Sequence, residues 1–252
     1  MKYTPLTLIA LLLILLAQPQ AAQADGGDDF GIWSTVGVEK KINKRWRIGG
    51  EAEWRTMDDA SKTDRWSFGV YGQYKVSSWL KASAGYDLLV DNNYKYSYHT
   101  DGTPNKKAHY WGQRHRVNVA LTGSYHFGHF GLSLRERWQY TYRHHKSVPE
   151  RYDFDQEDYD GKPKTYAGKG SNVLRSRLKL DYDIAKTGLE PYASVEVYNG
   201  WYIKKVRYTA GLDWSINKHH EVGIYYRLQT LHHDDDEDPD THILGLSYAF
   251  RF

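Results

Sequence analysis

The chain has 252 residues, no cysteine, 34 Lys and Arg against 31 Asp and Glu, and a formal net charge of +3 at pH 7. That charge is too mild to argue for nucleic acid, and without cysteine no disulfide framework can hold an exported fold together. Mean hydropathy is −0.74, yet 15% of the residues are aromatic, with 22 Tyr and 9 Trp, a supply that suits membrane-interface belts better than a dry aliphatic core.

In chain order the first feature is Lys2, an apolar run from Leu6 to Ala17 and the triplet Ala22-Gln23-Ala24. A basic start, a short apolar stretch and a small-residue cleavage site predict a secretory signal peptide over residues 1–24. The run falls short of the roughly 20 residues a spanning helix needs. Residues 25–252 are then expected to form one domain. No later stretch is long and apolar enough for a membrane helix.

Eleven alternating segments follow, at 30–42, 45–55, 64–76, 79–90, 110–126, 130–143, 172–184, 189–199, 203–216, 220–231 and 241–252. Most exceed the usual globular strand of about 5–6 residues and fit a tilted membrane strand of about 9–11 with some overhang. The connections alternate in length. Asn43-Lys44, Ser77-Ser78, Gly128-His129, Lys186-Thr187 and 217–219 are short turns. Residues 56–63, 91–109, 144–171 and 232–240 are longer loops, with a brief one near Asn199-Gly200. Short turns on one side and long loops on the other predict an all-β, closed antiparallel transmembrane barrel of about 10–12 strands. A barrel in lipid satisfies every backbone group and leaves no edge exposed. Eleven is an odd count where bacterial single-chain barrels have even ones. Either a strand is missing or 30–42 is not a full barrel strand.

Each segment separates into two faces. In "RWRIGGEAEWR" one phase holds Arg45, Arg47, Glu51, Glu53 and Arg55, and the other holds Trp46, Ile48, Ala52 and Trp54. Trp54 and Trp66 are placed at an outer aromatic girdle, Trp46, Trp214 and Phe252 at a periplasmic one. Fourteen arginines fall on the lumen phase. By strand direction Arg55, Arg65, Arg114, Arg116, Arg137, Arg143, Arg175, Arg177, Arg207 and Arg227 belong to its outer half. Asp181, Asp183, Glu190, Asp213 and Glu221 belong toward the periplasm. A basic outer throat over a more acidic floor is therefore expected, which would favour small anions. The bland alternative is that these arginines fork onto lumen carboxylates and fill the barrel. Glu136 stands out, because it falls on the lipid phase near mid-strand. A bulge, a subunit contact or a register error would each account for it.

The ending "LGLSYAFRF" resembles the assembly signal of bacterial outer-membrane barrels, carried by Leu244, Leu246, Tyr248, Phe250 and Phe252. The resemblance implies recognition by the barrel-assembly machinery. "DFGIWSTVGVEKKINKRWRI", "RWSFGVYGQYKVSSWLKASAGYDLL", "KVRYTAGLDWSINKHHEVGIYYR" and "THILGLSYAFRF" resemble an outer-membrane family catalogued as domain of unknown function 2490. It would cover nearly the whole mature chain, and it brings no catalytic residues with it.

The functional expectation is a small channel or binding barrel for anionic solutes in the Gram-negative outer membrane. The alternative is a structural or surface-interaction barrel with a closed, salt-bridged lumen. A rim hydrolase built on His144, His145, His232 and His233 is a third reading with little behind it, because those histidines sit in loop runs and match no nucleophile–base pattern. The acidic loops "YDFDQEDYDG" 152–161 and "DDDEDPD" 234–240 read as solvated or mobile. The first lacks the glycine a calcium-hand loop needs. No cofactor, metal or nucleic acid is expected. The expected partners are outer-membrane lipid, lipopolysaccharide and the assembly machinery, with the solute left unnamed.

Overall fold

The computed structural model describes residues 28–231 and 240–252. The signal-peptide segment, His232, His233 and most of the second acidic loop lie outside them. The described chain is all β: β1 (Asp29–Lys41), β2 (Trp46–Met57), β3 (Lys62–Lys75), β4 (Leu80–Tyr98), β5 (Pro104–Phe127), β6 (Phe130–Arg143), β7 (Lys146–Val148), β8 (Tyr152–Asp153), β9 (Asp158–Tyr159), β10 (Lys164–Tyr166), β11 (Lys169–Tyr182), β12 (Leu189–Asn199), β13 (Ile203–Ser215), β14 (His220–Leu231) and β15 (Thr241–Arg251). Eleven long strands close on themselves; β7 to β10 are short pieces of one loop.

The odd count stands, and no strand is missing. Residues 29–41 form a full barrel strand, and the ring closes by pairing β1 with β15 in parallel, in unbroken register from Asp29↔Thr241 to Glu39↔Arg251. Every other neighbouring pair in the barrel is antiparallel. The expectation of purely antiparallel pairing is thus corrected at one seam. Up-and-down connections force this: with an odd number of strands the first and last run the same way.

The two ends of the barrel differ as the loop lengths predict. At one end the turns are tight and side-chain capped. Asn43 Oδ1 accepts hydrogen bonds from the amides of Arg45 and Trp46 at 2.8 and 2.9 Å, and Asn217 Oδ1 from those of His219 and His220 at 2.8 and 3.0 Å. These Asx turns offer the chain a ready reversal. At the other end, residues 91–109 are not a loop. The alternation continues through Tyr94, Tyr96 and Tyr98, and β4 and β5 run on together to a turn at 99–103. The stretch looked like a loop because its polar residues hide the pattern.

The faces are inverted relative to a water-soluble domain. Val70, Val36, Leu121, Phe68 and Leu134 point outward and are 50–61% exposed, while Glu196 and Arg207 point inward and are 6% and 7% exposed. Gly245, an inward position of β15, faces Tyr225 of β14 across the ladder, and the tyrosine ring lies over the glycine where a Cβ would stand. Gly49 with Tyr71 and Gly211 with Tyr192 repeat this pairing. Each ring fills the bare rung and braces a weak point of the sheet.

Candidate functional site: the barrel interior

The inward residues of the long-loop half pack into a dense ion-paired layer. Glu196 of β12 is its centre, accepting from Arg135 at 2.5 Å and Arg175 at 2.9 Å, with Arg207 at 4.0 Å. Arg137↔Arg175 and Arg135↔Arg177 are direct cross-strand pairs of β6 and β11. Four like charges so placed repel, and one nearly buried carboxylate draws two of them together. Asp91 is a second centre. It takes a two-pronged bond from Arg114, 2.6 Å on each oxygen, and another from Arg65 at 2.5 Å. Such forked pairs are both strong and geometrically demanding. Glu53 holds Arg55 at 2.7 Å, and Arg116 stands 3.9 Å from Asp87.

Aromatic faces take the rest of that charge. The Arg55 guanidinium lies 3.6 Å from the centre of the Trp33 ring, with Arg207 and Arg227 at 5.0 and 5.1 Å. Tyr198 carries Arg175 at 4.5 Å and Lys205 at 4.7 Å, and its hydroxyl accepts a hydrogen bond from Arg207. Cation–π contacts of this kind lower the cost of packing guanidiniums without a carboxylate for each. Leu89 and Ile243 are the most buried large side chains among the described residues.

Of the ten arginines expected to form an anion-attracting throat, Arg55, Arg65, Arg114, Arg116, Arg175 and Arg207 are therefore ion-paired. Among the described residues Arg137, Arg143, Arg177 and Arg227 have no carboxylate partner. Arg143 donates to the Ala167 carbonyl at 3.4 Å and Arg227 to Thr209 Oγ1 at 3.0 Å. The Nε groups of Arg137 and Arg177 are buried without a hydrogen-bond acceptor.

The interior opens beside this layer, and Glu196, Arg135, Arg175 and Arg207 line the opening. A cavity of about 390 Å³ includes Glu51, Asp87, Arg137 and Arg177 in its wall. A second, of about 500 Å³, reaches the short-turn end and is lined by Lys41, Lys44, Arg45, Arg47, Lys75 and Lys81. The two share Arg177 and Lys179. Only Asp181 and Glu190 bring carboxylates to the second cavity. This overturns the expected acidic floor. The open end is the more basic one, because charges beside the short turns add to the two strand-end arginines, and the strand-by-strand reading gave them too little weight.

The loop 144–168 lies against the inward side of the β5 extension. Val148 and Tyr166 pack on Ala108 and Tyr110, which share the phase of Arg114 and Arg116; the two tyrosine rings are 5.2 Å apart. Two of its acids, Asp153 and Asp160, are paired and have buried side chains where solvated ones had been expected, while Asp155, Glu157 and Asp158 stay exposed. Lys106 Nζ bonds Asp153 and Asp160 at 2.9 Å each, and Arg151 bonds Asp160 at 3.0 Å. With those partners in place, Asp153 and Asp160 form a cation-paired anchor. Both carboxyls, which lie beyond the outer girdle, are held below the usual aspartate range. For Asp153 the main cause is the Lys106 hydrogen bond; for Asp160 it is the Arg151 backbone amide, then Lys106.

Glu136 keeps the outward phase, and β6 pairs through it without a bulge on either side. The carboxylate accepts a hydrogen bond from Ser176 Oγ at 2.7 Å. His144 packs edge-on against His115 at 4.8 Å on the outer face. Asp91, Trp33 and Tyr198 were missed as interior residues. Asp91 continues the phase of Asp87 and Leu89, and Trp33 shares that of Glu39, so strict alternation carried past the assumed strand ends would have found both.

A family profile described as "Protein of unknown function (DUF2490)" matches residues 30–239. No curated protein matches the chain. Among solved structures, the beta domain of the Bordetella autotransporter Brka is similar with a TM-score of 0.51 at 14% identity, covering 81% of this chain and 79% of that one. At that identity the likeness speaks for the fold alone, which is that of an outer-membrane β-barrel.

Proposed function

The chain belongs to that family of unknown function, and we propose that it is an outer-membrane barrel whose basic interior takes up small anionic solutes from the periplasmic side. Membrane placement is supported by the outward apolar faces and by two aromatic levels. Trp46 pairs with Tyr74 near one end and Trp54 with Trp66 near the other. The two levels are eight residues apart, about 27 Å along a strand at roughly 3.4 Å per residue. Tilted by roughly 40°, that spans about 20 Å, close to the apolar band of about 25 Å in such barrels. The leader segment and the aromatic C-terminal strand support export and insertion by the barrel-assembly machinery, with lipid and lipopolysaccharide as neighbours.

The observation that carries the solute reading is a pair of cavities that share Arg177 and Lys179 in their walls and that, beside ion-paired arginines, present cations with no carboxylate partner among the described residues: Arg137, Arg177, Lys75 and Lys81. Fields inside a low-dielectric wall are focused on small ions, and rings of one sign set ion preference. The ion-paired layer around Glu196 and Asp91 stands between these cavities and the outside and acts as the gate. Calorimetry on the folded barrel in detergent tests the reading, with succinate as probe. Binding should weaken about tenfold in Arg137→Gln/Arg177→Gln and fall with salt. Absence of binding to the folded wild type would sink the proposal. A second reading, a closed structural barrel, is favoured by the density of that same layer; it requires no solute binding and no current in planar bilayers.

A further inference from the structure

The 390 Å³ cavity carries unspent charge of both signs. Glu51, Gly69 and Asp87 form one rung across β2, β3 and β4. Gly69 leaves room for the two carboxylates to converge: a Cβ there would stand 2.7 Å from Asp87 Oδ1 and 3.2 Å from Glu51 Cγ. Among the described residues Glu51 has no ion pair or hydrogen bond. Asp87 has only Arg116 at 3.9 Å and the Asn118 amide at 3.4 Å.

Arg137 on β6 and Arg177 on β11 belong to the other side. In a ring of eleven strands β6 and β11 are four and five strands from β2, so Glu51 faces them across the interior. Because Arg137 and Arg177 sit diagonally on neighbouring strands, roughly 7–8 Å apart at the backbone, two guanidiniums can close on one carboxylate. Both poles line the same cavity of about 390 Å³, which lies within the roughly 300–1,000 Å³ of small-molecule sites.

We propose that this cavity selects small zwitterions, with the solute carboxylate on Arg137 and Arg177 and its ammonium on Glu51 and Asp87. A purely anionic solute satisfies one wall and leaves Glu51 facing it, which is repulsive; a zwitterion satisfies both. The inference rests on the reading of a solute-binding interior and narrows its substrate class.

The test uses 4-aminobutyrate and butyrate, which share a chain and a carboxylate and differ by the ammonium, titrated into the folded barrel in detergent. The wild type should bind 4-aminobutyrate at least tenfold more tightly than butyrate. Glu51→Gln should abolish that advantage while butyrate binding is kept or improved, and Arg137→Gln/Arg177→Gln should weaken both ligands. Equal affinity for the two ligands, or an advantage that survives Glu51→Gln, overturns the zwitterion assignment; if succinate still binds, the anion reading stands. No binding of any of the three probes overturns both. Heat-modifiable electrophoretic mobility identifies folded variants. If Glu51→Gln does not fold, Asp87→Asn on the same rung carries the same expectation.

Discussion

Single residues in this barrel are constrained from the inside. Glu196 neutralises a cluster that would otherwise hold Arg135, Arg175 and Arg207 side by side in a nearly buried layer. Removing one partner of a buried pair leaves the others uncompensated, which typically costs about 3–5 kcal/mol. Glu196→Ala is therefore expected to destabilise the barrel by about that much, read as a shift in the urea midpoint of the folded, heat-modifiable form. Gly245 is constrained by the ring above it. Gly245→Ala drives a methyl into Tyr225, and overpacking of this kind costs about 1–3 kcal/mol. Tyr225→Ala in the same background should recover part of that loss in the same assay. The identity of Glu196 as an interior carboxylate was legible from phase alone. Its role as the centre of three arginines was not, since a strand pattern gives the face of a residue and says nothing about which neighbours share its height.

At the scale of elements, the loop 144–168 behaves as a clasp on the β5 extension. Its docking depends on charge. Asp153 and Asp160 are held below the ordinary aspartate value, so their contribution is present above about pH 4 and is lost as pH falls through their depressed values. Lys106 is held above the ordinary lysine value by the same two hydrogen bonds, so its contribution is present below the ordinary value and is lost only at strongly alkaline pH. Lys106→Ala should free the loop at neutral pH, and trypsin should then cut after Lys164 on the order of tenfold faster than in the wild type. Unchanged cleavage would show that the Tyr110–Tyr166 packing holds the loop by itself. The sequence reading found the strands that alternate apolar with charged residues and placed nearly all of their ends. It failed where alternation was polar on both faces, at 91–98 and 104–109, and where acids looked solvated only because their cationic partner lay some 50 residues away.

At the scale of the whole molecule, closure depends on a seam of a different kind from the rest. Parallel pairing spaces its hydrogen bonds evenly and slants them, and is slightly weaker per residue than antiparallel pairing. The register of that seam is directly testable, because the chain has no cysteine of its own. Thr35→Cys with Ser247→Cys, partners across β1 and β15, should form a disulfide on mild oxidation of the folded barrel. Thr35→Cys with Ala249→Cys, off register by two, should not. The odd count that looked like a missing strand in the sequence was a correct reading of the chain; the assumption of an even number was what had to give way.

The same seam separates the two ends of the barrel strand order. The amide of Asp29 bonds the Asp240 carbonyl at the long-loop end, and Phe252 bonds Glu39 at the short-turn end. If the barrel sits in the outer membrane as proposed, a peptide tag fused just ahead of the first strand and another fused behind the last are stationed on opposite sides of the bilayer. One molecule so labelled reports its own orientation: an antibody added to intact cells should reach the first tag and not the second.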